Sequence, residues 1–195
     1  MKLLELLKKE ELAGCQTVKI PKGQIMFQED EECEYVGIVK SGLVFIVSYT
    51  LSGQEIVYNQ IRENGIFGNN LLFSEKPFYK GNVIAKEDSE IVLINKEKLL
   101  KILQNNDKFL IEYLAIHANF SKQLNFTIKL LSLQSAEERF LYYLKEKSPL
   151  KIKSITALSE SLFLTRETVS RLITKMVKNK TIIKNGKNII LTKTY

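Results

Sequence analysis

The side chains best equipped for chemistry in this 195-residue chain stand between Thr165 and Lys178, in the stretch TRETVSRLITKMVK. Thr165 can cap a helix N-terminus. Apolar residues then recur at Val169, Leu172, Ile173, Met176 and Val177, the spacing of a helix with one buried face. At about 100° per residue, Glu167, Ser170, Arg171, Thr174, Lys175 and Lys178 fall on the opposite side. Arg166 lies nearer the edge, but from the first turn a long guanidinium can swing past the helix end. The helix thus shows water two donor forks, a carboxylate, two hydroxyls and two ammonium groups. Arg forks match guanine O6 and N7, and a Glu carboxylate accepts from cytosine N4. The chemistry on offer is hydrogen bonding to base edges. An ordinary surface helix of mixed charge carries the same residue types, so the elements around it must decide.

Upstream, Ser154 caps a shorter pattern with Ile155, Leu158 and Leu162 at spacings of three and four. A Phe163-Leu164 connection follows. Two helices that cannot bury themselves alone, joined by about three residues, make a helix-turn-helix. In that motif the N-terminal residues of the second helix enter the major groove. Downstream, Thr181–Leu191 reads as two β-branched runs joined through Asn185-Gly186, the strongest short hairpin signal, with both as central residues of a type I′ turn. A hairpin in this place is a wing, with Lys184 and Lys187 at its tip. Charge agrees. Residues 135–195 hold 13 basic and 5 acidic side chains, an excess of +8, whereas residues 1–134 carry −1. A basic excess confined to the segment with the groove-reading helix is the footprint of a polyanion. Double-stranded DNA is the expected partner, met by Thr165, Arg166, Glu167, Ser170, Arg171, Lys175, Lys178 and Lys187.

From Gln16 to about Ile94 the texture is strand-like, with β-rich runs at 17–20, 35–39, 43–47, 55–58 and 90–94. Turn signals separate them at Pro21-Lys22-Gly23, Ser41-Gly42, Ser52-Gly53 and Asn64-Gly65. Many short strands at roughly ten-residue spacing predict an antiparallel sandwich or roll. A long helical pattern then runs from Asn106 to Leu133, with Asp107 as its N-cap. Leu110, Tyr113, His117, Phe120, Leu124, Thr127 and Leu131 alternate spacings of three and four, a coiled-coil seam. At 1.5 Å per residue the rod is about 37 Å long. Pairing with its twin would give a homodimer, whose two-fold axis matches a palindromic site. The alternative is a helix packed only on its own roll. Ser135 and Glu138 form a capping box that restarts a helix. The expected division is a sensory β-roll with flanking helices over 1–106, a dimerisation and linker helix over 107–134 and a winged helix-turn-helix over 135–195, an α+β fold.

The string Arg166-Glu167-Thr168-Val169-Ser170-Arg171, in this winged setting, resembles the recognition helix of the CRP/FNR (catabolite activator-type) transcription regulators. Gly23, Gly42, Gly53, Gly65 and Gly68 fall where cyclic-nucleotide-binding β-rolls have turn glycines, and 35–44 resembles that fold's central hairpin. The resemblance implies a half-site containing T-G-A and, among partners, RNA polymerase, although the 148–153 link is shorter than the exposed loop of activating relatives. In cyclic-AMP-binding relatives a Glu after Phe-Gly holds the ribose and an Arg-Ser pair meets the phosphate. Here Asn69 stands in the Glu position, and Tyr79 and Lys80 stand in the Arg-Ser positions. Lys80 offers a point charge without a bidentate fork. These exchanges argue against tight cyclic AMP binding and leave the effector, if the roll has one, unidentified. The resemblance places Gly68, Asn69, Asn70, Tyr79, Lys80 and Asn82 around that pocket, closed by Leu124 and Asn125 of the long helix.

Other classes find little support. No apolar run approaches the ~18 residues of a membrane span, and no signal peptide is visible. Cys15 and Cys33 are too few for a four-thiolate metal site and fit a reducing cytoplasm. His117 is the one histidine, and a lone imidazole on a seam is more often a packing residue than a ligand. One His and two Cys assemble no catalytic set, so an enzyme is not expected, and no cofactor is called for. The competing reading is a small-molecule or cyclic-nucleotide sensor with a degenerate DNA half.

Overall fold

Two short helices, α1 (Leu3–Leu6) and α2 (Lys9–Ala13), lead into β1 (Gln16–Ile20), β2 (Ile25–Phe27), β3 (Tyr35–Ser41), β4 (Leu43–Tyr49), β5 (Glu55–Arg62), β6 (Ile66–Phe67), β7 (Asn82–Ala85) and β8 (Ser89–Asn95) in a computed structural model that describes residues 3–192. All pair antiparallel, in two sheets of order β1-β8-β3-β6 and β2-β7-β4-β5. The apolar faces of both, including Val36, Ile38, Val44, Val83, Ile91 and Ile94, enclose one core. Sequence alternation made this legible, because side chains of a strand point to opposite faces.

One expectation is corrected. Residues 35–44 do not form a hairpin: β3 pairs with β8 and β6, while β4 pairs with β5 and β7. The chain changes sheets at Gly42, whose φ is +93°. A Cβ there would sit 2.5 Å from the Asp88 carbonyl oxygen, so both conformation and space require glycine.

After β8, α3 (Lys96–Asn105) is capped by Asn95, whose side chain accepts from the Lys98 N–H. Helix α4 (Asp107–Ser132) follows. Its cap is Asn106 rather than Asp107: Asn106 Oδ1 accepts from the Phe109 N–H at 3.1 Å. The Asn106 amide group also donates to Leu6 O and Glu11 Oε2, at 2.9 and 3.0 Å. A buried amide with all these partners is the better anchor, and Asp107 is exposed.

The chain divides into two compact units, residues 1–118 and 119–195. In the second, α5 (Ala136–Lys147), β9 (Leu150–Lys151), α6 (Ile155–Leu162), α7 (Arg166–Lys178), β10 (Ile182–Asn185) and β11 (Asn188–Leu191) follow the end of α4. Leu130, Phe140, Leu144, Leu158, Leu162, Val169, Ile173, Met176, Ile182 and Ile189 form its core. The three strands order as β10-β11-β9. The turn between β10 and β11 is Gly186-Lys187, one residue later than the Asn-Gly pair suggested, because Asn185 faces Asn188 in the ladder. Gly186, at φ +57°, takes the first central position, as in type II′ turns.

Candidate nucleic-acid interface and sensor pocket

Helix α7 is set by local chemistry at its start. Thr165 is extended, and its Oγ1 accepts from the Thr168 N–H at 3.2 Å. Val169, Ile173 and Met176 are buried, and Thr165, Arg166, Glu167, Ser170, Arg171, Lys175 and Lys178 are exposed. Glu167 in the first turn and Lys175 and Lys178 in the last suit the helix dipole, so structure alone accounts for their charge. Lys175 also pairs with Glu137 of α5 at 2.5 Å. Arg166 is different. It begins the helix at the positive end of the dipole, and among the described residues no carboxylate pairs with it or with Arg171. Among the described residues neither guanidinium fork is held by an ion pair, and Arg166 is set against the dipole. In the wing, Ile182 and Ile189 turn inward, and Lys184 and Lys187 are exposed.

The roll treats its expected pocket residues in another way. Gly68, at φ +74°, opens the turn after β6, and a Cβ there would come within 2.5 Å of the Tyr35 carbonyl oxygen. Asn70 and Lys80 are exposed. Asn82 is half-buried, and its Oδ1 accepts from the Glu29 N–H. Tyr79 is corrected from pocket to core. It is 1% exposed, and its ring stacks on Phe27 with centroids 4.9 Å apart. Its hydroxyl lies beside the Cys33 thiol and has no hydrogen-bond partner. That thiol is committed to the carbonyls of Tyr35 and Gly68. Burial pushes the Cys33 thiol and the Tyr79 phenol up.

Asn69 is drawn to α4. Its Nδ2 lies 3.4 Å from His117 Nε2, and its carbonyl accepts from the Tyr113 hydroxyl at 3.4 Å. Tyr113 therefore leaves the expected seam: it is buried in its own unit, stacked on Phe109, and burial pushes its phenol up to about 12. Burial also lowers the His117 pKa. Of the other seam residues, Leu110 and Thr127 are half-buried, while Phe120, Leu124 and Leu131 are exposed. Leu124 and Asn125 lie in the second unit, both exposed. The sequence reading missed the bond from Ser48 Oγ to the Glu29 carboxylate, at 2.7 and 2.8 Å, because β4 and the 28–31 turn meet only through the sheet. Among the described residues no group of His, Cys, Asp and Glu is arranged to hold a metal ion, and no helix is long and apolar enough to cross a membrane.

Residues 17–106 match the family model described as cyclic nucleotide-binding domain. The anaerobic regulatory protein of Bacillus subtilis (strain 168) is 31% identical over 96 residues, 49% of this chain and 40% of that protein. The chain thus spans well under half the length of that relative. The HTH-type transcriptional regulator ArcR of Staphylococcus epidermidis is 24% identical over 185 residues, 88% of this chain and 80% of that protein. Among solved structures, the Thermus thermophilus catabolite activator protein superposes with a TM-score of 0.59 at 22% identity, over 97% of this chain and 92% of that one. A CooA mutant from Carboxydothermus hydrogenoformans gives 0.65 at 20% identity, over 99% and 92%. The chain shares the fold of these two structures, a β-roll that matches the cyclic nucleotide-binding domain model followed by a winged helix-turn-helix.

Proposed function

We propose that this chain is a homodimeric, sequence-specific DNA-binding transcription regulator, read out by α7 and acting in the cytoplasm. The observation that carries the proposal is the exposed N-terminal half of α7, where Arg166, Glu167, Ser170 and Arg171 face water and neither arginine has an ion pair among the described residues. The names of the Bacillus and Staphylococcus relatives support it, as does the basic excess of residues 135–195. Arg171 takes a guanine and Glu167 a cytosine amine on the neighbouring pair, with Arg166 on a further guanine or a phosphate. Lys178 and Lys187 meet phosphates.

The second copy is expected along α4. Ile111, Leu114, Phe120, Leu124, Ile128 and Leu131 are large apolar side chains that one copy leaves exposed. The seam of the dimer is accordingly drawn from Phe120, Leu124 and Leu131. In the roll, the position that meets the cyclic phosphate in cyclic-AMP-binding relatives is held by the buried Tyr79 ring, and Asn69 is engaged by His117. Cyclic AMP is not the effector on this reading. Selection from randomised duplexes at fixed salt tests the function: the expected product is two half-sites containing T-G-A, about 10 base pairs or a multiple of that apart. Recovery of no consensus would overturn it. Sedimentation tests the dimer, where charged residues at Phe120 and Leu124 should give monomers. Calorimetric titration with cyclic AMP should show no binding at micromolar concentrations.

A further inference from the structure

The turn between α6 and α7 breaks two local rules at one residue. Phe163 has φ 54° and ψ 43°, the left-handed conformation that bulky side chains avoid. The hydrogen bonds explain why the backbone goes there. The Phe163 N–H donates to Glu160 O, and the Leu164 N–H donates to Ser159 O at 3.0 Å, closing a Schellman motif. That motif places glycine where Phe163 stands. Leu164 packs into the core of its unit, whereas Phe163 remains 54% exposed. The ring therefore carries backbone strain and wets a large apolar surface at once. Closing the turn does not require this ring, since glycine or asparagine would close it without the strain. Strain held in this way accumulates where a side chain is needed for function.

Position says which function. Phe163 stands two residues before the Thr165 cap and three before Arg166, at the end of α7 that enters the groove. The cations around it would draw phosphates close, and a planar apolar ring in that place has one apolar group on base edges to meet, the C5-methyl of thymine. We propose that Phe163 is a specificity-determining residue whose ring packs on a thymine methyl at the edge of each half-site. This rests on the DNA-binding reading of α7 and adds to it a preference that hydrogen bonding does not supply.

Replacing thymine by deoxyuridine removes the methyl and nothing else, so it isolates the contact. In the selected duplex each thymine is exchanged in turn, and affinities are measured for wild type, Phe163→Gly and Phe163→Ala. Wild type should lose about fourfold at one thymine per half-site, the value of one buried methyl-sized group. Both variants should bind the unmodified duplex about fourfold more weakly and be indifferent to that exchange. Phe163→Gly should melt at the same temperature as wild type or higher, because strain is relieved, so weaker binding cannot be blamed on unfolding. Variants with full affinity and unchanged uracil sensitivity would overturn the proposal. Variants that lose affinity while keeping wild-type uracil sensitivity would also overturn it, assigning the ring to a sugar instead. If wild type selects no duplex at all, the DNA-binding reading falls, and this inference falls with it.

Discussion

The N-terminal half of α7 and the loop after β6 occupy positions that the resemblance assigns to recognition, and they meet opposite physical circumstances. On α7, Arg166 and Arg171 stand in water with no ion pair among the described residues. After β6, Asn70 and Lys80 are exposed but three others are drawn into the protein: Tyr79 is in the core, Asn69 is engaged by α4, and Asn82 is spent on the backbone of Glu29. An exposed guanidinium with no ion pair adds little to stability, so its presence asks for an external partner. A ring stacked on Phe27 in a closed core is explained by burial alone. The two regions thus differ in what a substitution should cost, stability in the roll and recognition on α7.

The sharpest way to break this contrast is at Tyr79. Truncation to Ala should destabilise the protein by about 3–5 kcal/mol, the range for a buried aromatic. Tyr79→Phe should be neutral or stabilising, since the hydroxyl has no hydrogen-bond partner to lose. Urea denaturation reads both. A Tyr79→Ala variant with wild-type stability would mean that the ring lines a pocket after all.

Next in size, Arg171→Ala should cost about 1–3 kcal/mol of DNA affinity per half-site while leaving the denaturation midpoint unmoved. Selection from randomised duplexes should show a flattened preference at its guanine. An unchanged consensus would remove Arg171 from the reading head. A smaller effect is expected at Lys187 in the wing turn. Lys187→Ala should weaken all sequences alike and reduce the salt slope by about one unit per half-site. Discrimination lost at a single base would instead make the wing a reader of sequence.

What could be read from the chain follows the reach of each interaction. The caps at Ser135, Ser154 and Thr165 lie three residues from the N–H groups they satisfy, so residue type and spacing reveal them. The buried stripe of α7 is equally local. Pairing between strands is not: nothing within residues 35–44 says that β3 and β4 join different sheets, a fact set by β8 and β7 far along the chain. Short strands such as β2, β6 and β9 have too few residues to show alternation. Flanking helices are expected beside the roll, but the bounds of α3 are not, although Asn95 with Leu99 and Ile102 carries a cap and a stripe. In the roll, Tyr79 and Asn69 were placed by alignment to a motif, which gives a position along the chain but not the direction of a side chain. Phe163 left a signal of another kind, a bulky residue where the end of a helix wants glycine.

The smallest effect concerns His117, and it separates the two regions by pH. It is the only histidine, so residues 119–195 contain none. Its neighbours in the roll unit are the Asn69 side chain and the Tyr113 ring, centroids 4.7 Å apart, and burial lowers its pKa. The unfolded chain therefore takes up a proton that the folded one resists. Stability from this residue is fully present above the unfolded value of about 6.5 and is lost as pH falls through the lowered folded value. Carboxylates titrate below that window and affect wild type and variant alike, so the informative quantity is a difference. Urea midpoints of wild type and His117→Gln, followed from about pH 8 to about pH 5, should converge on acidification as wild type loses the larger amount. Parallel curves would mean that His117 titrates as though exposed. Curves that diverge, with wild type gaining on acidification, would mean that an acidic partner holds the ring protonated, and the tie to Asn69 would have to be redrawn.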